Sequence, residues 1–139
     1  MAGLVRFSVS MPEELVADFD RLIEAQGYKT RSEAVRDLIR DRLVRRQWEE
    51  GDQDVAGTLT IIYDHHVRGL GAELTEVQHD HIGLVLSTMH VHLDHHNCLE
   101  VLVMKGRAAD ITAISDRLIA ARGVKHGKLV LTTTGEKLV

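Results

Sequence analysis

The sequence predicts an α+β chain in two pieces, a strand-helix-helix segment followed by a β-α-β-β-α-β segment, and three observations carry that prediction. A period-two apolar pattern at Val5, Phe7 and Val9 is followed directly by two segments with helix-start signals and apolar stripes. The run Glu49-Glu50-Gly51-Asp52-Gln53-Asp54 is acidic, contains glycine and has no apolar periodicity, and it lies between segments that do. Beyond it, strand and helix periods follow one another in the split βαβ order. The 139 residues, 44% of them hydrophobic, suffice for one mid-sized domain or two small ones. The expected division is 1–48, a linker at 49–56, and 57–139.

Composition narrows the function. A formal charge of -4, and nine Lys/Arg against ten Asp/Glu in the first fifty residues, argue against a broad polybasic surface. No apolar run reaches the roughly 18 residues of a membrane span, and the opening residues have no signal-peptide core, so the chain reads as cytoplasmic and without a membrane partner. One cysteine, Cys98, excludes an internal disulfide, and nine histidines direct attention to metal binding.

In the first piece Val5, Phe7 and Val9 alternate with Arg6, Ser8 and Ser10, as in a strand with one apolar and one polar face. Ser10 with Glu13 reads as a capping box, and Pro12 is tolerated in the first turn of the helix it opens. Leu15, Phe19, Leu22 and Ile23 stripe that helix, which stops at Gly27. A second box, Thr30 with Glu33, opens a helix striped by Val35, Leu38, Ile39 and Leu43. A segment of this size buries too little surface to stand alone, and a lone short strand exposes both edges. Pairing with a second copy, strand to strand, solves both problems.

The runs Arg6-Phe7-Ser8-Val9-Ser10-Met11-Pro12-Glu13 and Gly27-Tyr28-Lys29-Thr30-Arg31-Ser32-Glu33-Ala34 make this piece similar to the ribbon-helix-helix repressors, whose intertwined dimers place a two-stranded ribbon in the DNA major groove. The resemblance implies that Arg6, Ser8 and Ser10 read base edges. It further implies that Thr30, Arg31 and Ser32 offer helix N-terminal amides to a phosphate, with Arg36 beside them. A simply solvated strand face is the alternative; the two capped helices at this spacing favour the DNA reading.

The second piece is read as a strand at 58–63, a helix at 66–78, strands at 84–93 and 98–104, a helix at 109–122 and a strand near 128–133. This is the ferredoxin-like order, in which both helices cover one sheet face and leave the other bare. Val67, Leu70, Leu74 and Val77 stripe the first helix, and Ile111, Ile114 and Leu118 the second. On the two middle strands the odd positions (Val85, Met89, Val91, Leu93, then Leu99, Val101, Val103) are mainly apolar, whereas the even ones include His90, His92, Cys98 and Glu100. The odd side is therefore expected under the helices and the even side on the bare face. A hairpin pairing residue 92 with 98 brings His90, His92 and Cys98 together near its tip.

Two imidazoles and a thiolate suit nickel(II), copper(II) or zinc. Three donors leave the shell incomplete, and His79 or His81 could complete it. Because their helix lies on the other side of the sheet, they reach another subunit's bare face more readily than their own, which makes the metal an interchain staple.

The runs Gln78-His79-Asp80-His81, Thr88-Met89-His90-Val91-His92-Leu93-Asp94, Cys98-Leu99-Glu100 and Arg122-Gly123-Val124-Lys125-His126-Gly127 resemble the regulatory, ACT-type domain of the nickel-responsive repressor (NikR) family. With the first piece, the resemblance spans nearly the whole chain. It implies a homotetramer, a dimer of dimers, flanked by two DNA-binding dimers. It implies one square-planar nickel(II) per chain at a subunit interface, held by His90, His92 and Cys98 of one chain and His79 of another, with His81 the runner-up. It implies a second cation, potassium, in the DNA-bound form, held by Glu33 and Asp37 with backbone carbonyls near Ile119, Ala121 and Val124, although Arg36 or Arg40 could neutralise those carboxylates without an ion. Arg68 matches a basic loop that contacts DNA, while apolar Val67 stands where a lysine can occur. His65, His66, His95, His96 and His126 are candidates for weaker metal sites or for surface imidazoles.

The function expected is a nickel-dependent repressor of operator DNA that controls nickel uptake genes. A zinc-dependent enzyme, with Glu100 as the only nearby base, leaves the N-terminal ribbon unexplained, and a metal-scavenging protein without DNA affinity is the third reading.

Overall fold

The computed structural model describes residues 3–139, which divide into two compact units between Arg40 and Asp41. In the first unit, residues 3–12 carry neither helix nor strand ladder within a single chain, and Val5, Phe7 and Val9 are exposed. Helix α1 spans Glu13–Ala25, with Pro12 at its N-cap and no side-chain cap hydrogen bond. The expected Ser10–Glu13 capping box is therefore not formed. Proline itself sets the start, because its fixed φ suits helix entry and its missing N–H would have been unsatisfied there anyway. At the other end the Tyr28 amide donates to Ile23 O (2.9 Å) and the Gly27 amide to Glu24 O (3.0 Å), with Gly27 at φ +88°. That is a Schellman termination, and it needs the left-handed residue that glycine supplies.

Helix α2 spans Arg31–Glu50. Thr30 Oγ1 accepts the Glu33 amide (3.2 Å), so the second expected cap is present. Arg31 forks onto Asp20 through Nε (2.8 Å) and Nη2 (2.7 Å), tying the start of α2 to α1. Both stripes remain largely open: Leu15, Leu22, Leu38 and Ile39 are exposed, and among the described residues of this unit only Ile23 and Ala34 are buried.

The second unit contains the end of α2, then β1 (Asp54–Asp64), α3 (Leu70–Asp80), β2 (Val85–His92), β3 (Asn97–Arg107), α4 (Ala108–Ile119) and β4 (Val124–Leu131). The sheet order is β2-β3-β1-β4, every neighbouring pair antiparallel, as the split βαβ reading requires. Several bounds differ from the sequence reading. Residues 49 and 50 continue α2 and residues 54–56 belong to β1, so only 51–53 connect them. Helix α3 begins at Leu70 and not at 66, because Gly69 turns the chain at φ +84° and residues 65–69 are turns. Strand β4 starts at Val124, four residues earlier than its apolar end suggests.

The central strand β1 alternates strictly, with Val55, Gly57, Leu59, Ile61 and Tyr63 buried. Its register places Leu59 opposite Leu102, Ile61 opposite Glu100 and Tyr63 opposite Cys98. Directly opposed residues share a sheet face. The even side of β3 (Cys98, Glu100, Leu102, Met104) therefore faces the core, together with Leu70, Leu74 and Val77 of α3 and Ile111, Ile114 and Leu118 of α4. The expected parity is thus reversed: the odd side is bare, leaving Met89, Val91 and Val103 exposed. Period two cannot choose a side when both sides of β3 are apolar, and it is the pairing with β1, the strand between β3 and β4, that decides.

Candidate metal centre

The hairpin is registered as the ligand argument requires, with His92 opposite Cys98 and His90 opposite Glu100. Its turn is built on Asp94, whose Oδ1 accepts the amides of His96 and Asn97 (both 2.8 Å). Those bonds, led by the Asn97 side chain, hold the Asp94 carboxyl at about 2. The turn thereby fixes the separation of the strand ends that carry the donors.

At the tip, Cys98 Sγ lies 3.2 Å from His92 Nδ1 and 3.3 Å from His65 Nδ1. One donor atom from each of these three residues lies within 4.8 Å of the other two. The His90 ring is 5.0 Å from that of His92, centroid to centroid, and its Nδ1 is 2.9 Å from the Tyr63 hydroxyl. Cys98 and His92 thus lie together, but on the helix-covered face, and the third donor beside them is His65, while His90 pairs with Tyr63. His79 is exposed in the last turn of α3 and belongs to neither group of converging donors in one chain. His81 donates from Nδ1 to Val77 O (2.8 Å), closing the end of that helix.

The electrostatics favour a metal over a proton relay. Burial pushes the Cys98 thiol up, helped by the carboxylates of Asp64, Asp94 and Glu100. Burial, together with the neighbouring imidazoles of His66 and His92, lowers His65, which favours the neutral, ligating form. Tyr63 is raised to about 12, first by burial and then by Glu100 and Cys98. Glu100 is raised by burial, against the opposing influence of His90 and Gln78, and its Oε2 has no hydrogen-bond partner. A buried thiol flanked by imidazoles, with an unsatisfied carboxylate oxygen beside His90, fits a divalent cation: added positive charge would offset the desolvation of the Cys98 and Glu100 anions.

Three features of this site were not read from sequence. His65 was placed only among the weaker donors, yet it touches Cys98; Tyr63 and Gln78 were not singled out. The parity of β1 was the available signal, since Tyr63 sits opposite Cys98 and His65 follows directly after the strand.

The other expected contact residues are accounted for separately. Arg6, Ser8 and Ser10 are exposed, as is Arg68, while Val67 packs against the core. The Arg31 guanidinium is engaged with Asp20, and Arg36 Nε donates to Ser32 O (3.3 Å). Asp37 accepts the Tyr28 hydroxyl (2.6 Å) and Arg40 Nη1 (3.1 Å), and these contacts, Tyr28 first, hold its carboxyl below the ordinary value.

Comparison with known proteins identifies relatives for both parts of the chain. Residues 56–132 match the NikR C-terminal nickel-binding domain family, and residues 5–46 match the ribbon-helix-helix proteins of the copG family. The chain is 57% identical to a nickel-responsive regulator of Nitratidesulfovibrio vulgaris over 138 residues, covering 99% of each chain. A nickel-responsive regulator of Thermococcus onnurineus is 57% identical over 98% of this chain and 99% of its own, and one of Geobacter sulfurreducens is 58% identical over 99% of each.

Proposed function

The chain belongs to the NikR family of nickel-responsive regulators, and from that premise we propose that it is a repressor that binds operator DNA when loaded with nickel and controls nickel uptake genes. The observation that carries this reading is the placement of Cys98 within 3.3 Å of two imidazole nitrogens at the tip of a hairpin, in a chain whose N-terminal segment leaves Val5, Phe7 and Val9 exposed. The enzyme reading gives way to that of a regulator.

The residues that would hold nickel(II) are His90, His92 and Cys98 of one chain and His79 of another, with one ion per chain at a subunit interface. When bound, the ion supplies a coordinate crosslink among those donors. Because the donors lie on the sheet side that α3 covers, a helix on the opposite face no longer argues for an interchain ligand; the interchain reading is supported by the family resemblance and by an exposed His79 that lies outside the converging donors of its own chain. The bare sheet face, with Met89, Val91 and Val103 exposed, supports assembly into a homotetramer, since an apolar face of this kind is costly to leave in water.

Within the first unit, the exposed Val5, Phe7 and Val9 support an intertwined dimer in which Arg6, Ser8 and Ser10 face base edges and Thr30, Arg31, Ser32 and Arg36 face phosphate; Arg68 adds a further DNA contact. Two such dimers on one tetramer would hold a second ribbon at high effective concentration once the first is bound, which strengthens operator binding without new base contacts. A potassium ion at Glu33 and Asp37 is a lesser element of the proposal, because Tyr28 and Arg40 already partner Asp37.

A gel shift with and without nickel, comparing wild type with Arg6→Ala, tests the function. A repressor shows retardation of its operator that requires both nickel and Arg6. Retardation indifferent to nickel, or nickel binding with no retardation, overturns it.

A further inference from the structure

The chain does not stop with the sheet. Strand β4 ends at Leu131, and residues 132–137 turn back over the connector that joins α2 to β1. Chain ends stay ordered only where something ties them down. Here the Thr132 amide donates to Ala56 O (2.9 Å), the Trp48 indole N–H donates to Thr132 O (2.9 Å), Thr133 Oγ1 donates to Gln47 Oε1 (3.1 Å) and Lys137 Nζ donates to Gln53 Oε1 (2.8 Å). All of these partners belong to the second unit. We infer that residues 132–137 are a strap that fixes the last turns of α2 on the second unit, and that through this hold the strap strengthens binding to an operator with two half-sites. The effect on DNA rests on the repressor function proposed for the chain.

The strap is organised by its own residues. The Gly135 amide donates to Thr133 Oγ1 (3.2 Å), the Glu136 amide donates to Thr134 Oγ1 (3.4 Å), and Gly135 takes φ +83°, so the turns need no outside support. Its target is shaped as well. A Cβ at Gly57 would lie 3.1 Å from Trp48 Cη2 and 3.2 Å from Cζ2, so glycine in β1 makes room for the indole of α2. Trp48 packs against the core of the second unit, and the strap accepts the one polar hydrogen of its ring. Residues 51–53 are also held from elsewhere: Gly51 O and Gln53 O accept the amides of Ala109 and Ala108 at the start of α4, donors that a helix N-terminus leaves open.

Helix α2 begins in the first unit and ends in the second without a break. Freedom at its last turns is therefore freedom in the join between the segment that would read DNA and the segment that would hold metal. When one ribbon is bound, the effective concentration of the second at its half-site depends on that join, and it falls as slack is added. One ribbon on one half-site needs no such match.

Trp48 is the only tryptophan of the chain, so its emission reports the strap directly. The test compares full-length wild type with Thr133→Val/Lys137→Met, which removes both side-chain bonds, with Thr133→Ser/Lys137→Arg, which keeps a donor at each position, and with a chain ending at Leu131. The apolar double variant and the shortened chain should show Trp48 emission shifted to the red and quenched more readily by acrylamide, the shortened chain more so. Both should bind a nickel-dependent operator of two half-sites about tenfold more weakly or worse, yet bind a single half-site, and nickel in dialysis, as wild type does. The Ser/Arg variant should match wild type in every readout. Unchanged emission and quenching in the shortened chain overturns the strap. A loosened Trp48 with operator affinity unchanged, an equal loss on the single half-site, or a changed nickel affinity overturns its role in DNA binding. If wild type itself fails to retard the operator under nickel, the repressor reading falls and the DNA role with it, while Trp48 emission still decides whether the strap holds α2.

Discussion

The two units of this chain solve the burial problem to different degrees. In Asp41–Val139, two helices close over one side of a four-stranded sheet, and Leu59, Ile61, Leu102, Met104, Ile111 and Leu118 disappear from solvent completely or nearly so. In Met1–Arg40 the described residues bury only Ile23 and Ala34, while Phe7 is 71% exposed and Leu38 58%. Both units show equally clear apolar periodicity in sequence. The difference teaches that periodicity reports which residues seek burial and not whether one chain can provide it; in the proposed dimer, a second copy would supply the other half of the first unit's core.

The largest expected effects separate the units by ligand. Cys98→Ala should weaken nickel binding by more than about a hundredfold, since loss of an outer-shell partner alone typically brings 10- to 100-fold and this removes a donor itself. The chain should remain folded by circular dichroism; a nickel affinity near that of wild type would show that the second unit's hairpin is not the tight site. Arg6→Ala should weaken operator binding by about 10- to 100-fold, corresponding to roughly 1–3 kcal/mol for one bidentate base contact, with nickel affinity unchanged in dialysis. A change in nickel affinity with DNA binding intact would break the division of labour between the units.

Proton competition comes next in size. Burial raises the Cys98 thiol above its ordinary value, so at neutral pH the metal-free site holds that proton. Ligation releases it, and nickel affinity should rise by about tenfold per pH unit for this proton until the pH passes the raised value, then level off. Isothermal titration in buffers of different ionisation enthalpy counts the proton released. An affinity that is flat from pH 6 to 8 would exclude Cys98 as a ligand.

Stability should separate the units as well. Gly127→Ala in β4 places a Cβ into Ile119 Cγ1, with Ile61 also close, and overpacking of this kind costs about 1–3 kcal/mol in thermal or denaturant unfolding. Gly27 in the first unit has open space around its missing Cβ, so any cost of substitution there comes from its backbone conformation alone.

Much of the fold was legible because the signals were local. The Schellman glycine, the Thr30 cap and the apolar spacing of both regulatory-domain helices depend on neighbours within one turn. The closeness of His92 and Cys98 was legible for a similar reason: a hairpin brings its paired residues together whatever covers it. Which sheet face the helices cover was not, because β3 is apolar on both sides and the answer lies in its pairing with β1, more than thirty residues away. His65 escaped for the same long-range reason, as only the β1–β3 register brings it against Cys98. The Ser10–Glu13 box failed at short range: its spacing is correct, but Pro12 starts the helix without it.

The smallest expected effect tests the local end of that scale. Thr30 Oγ1 satisfies the Glu33 amide at the start of α2, one of the donors a helix N-terminus leaves open. Thr30→Ala removes that acceptor and should lower stability by about 1 kcal/mol, whereas Thr30→Ser retains the hydroxyl and should lose little. Ser10→Ala is the matched control: no side-chain cap bond exists at α1, so its helix should be unaffected. Under the proposed dimer, both variants are best read from the concentration-dependent unfolding of the full-length protein, where a weakened dimer would lower the midpoint at low concentration first. Equal losses from Thr30→Ala and Ser10→Ala would mean that Ser10 stabilises something other than the helix start, and the exposed strand of the paired ribbon is where that contact would lie.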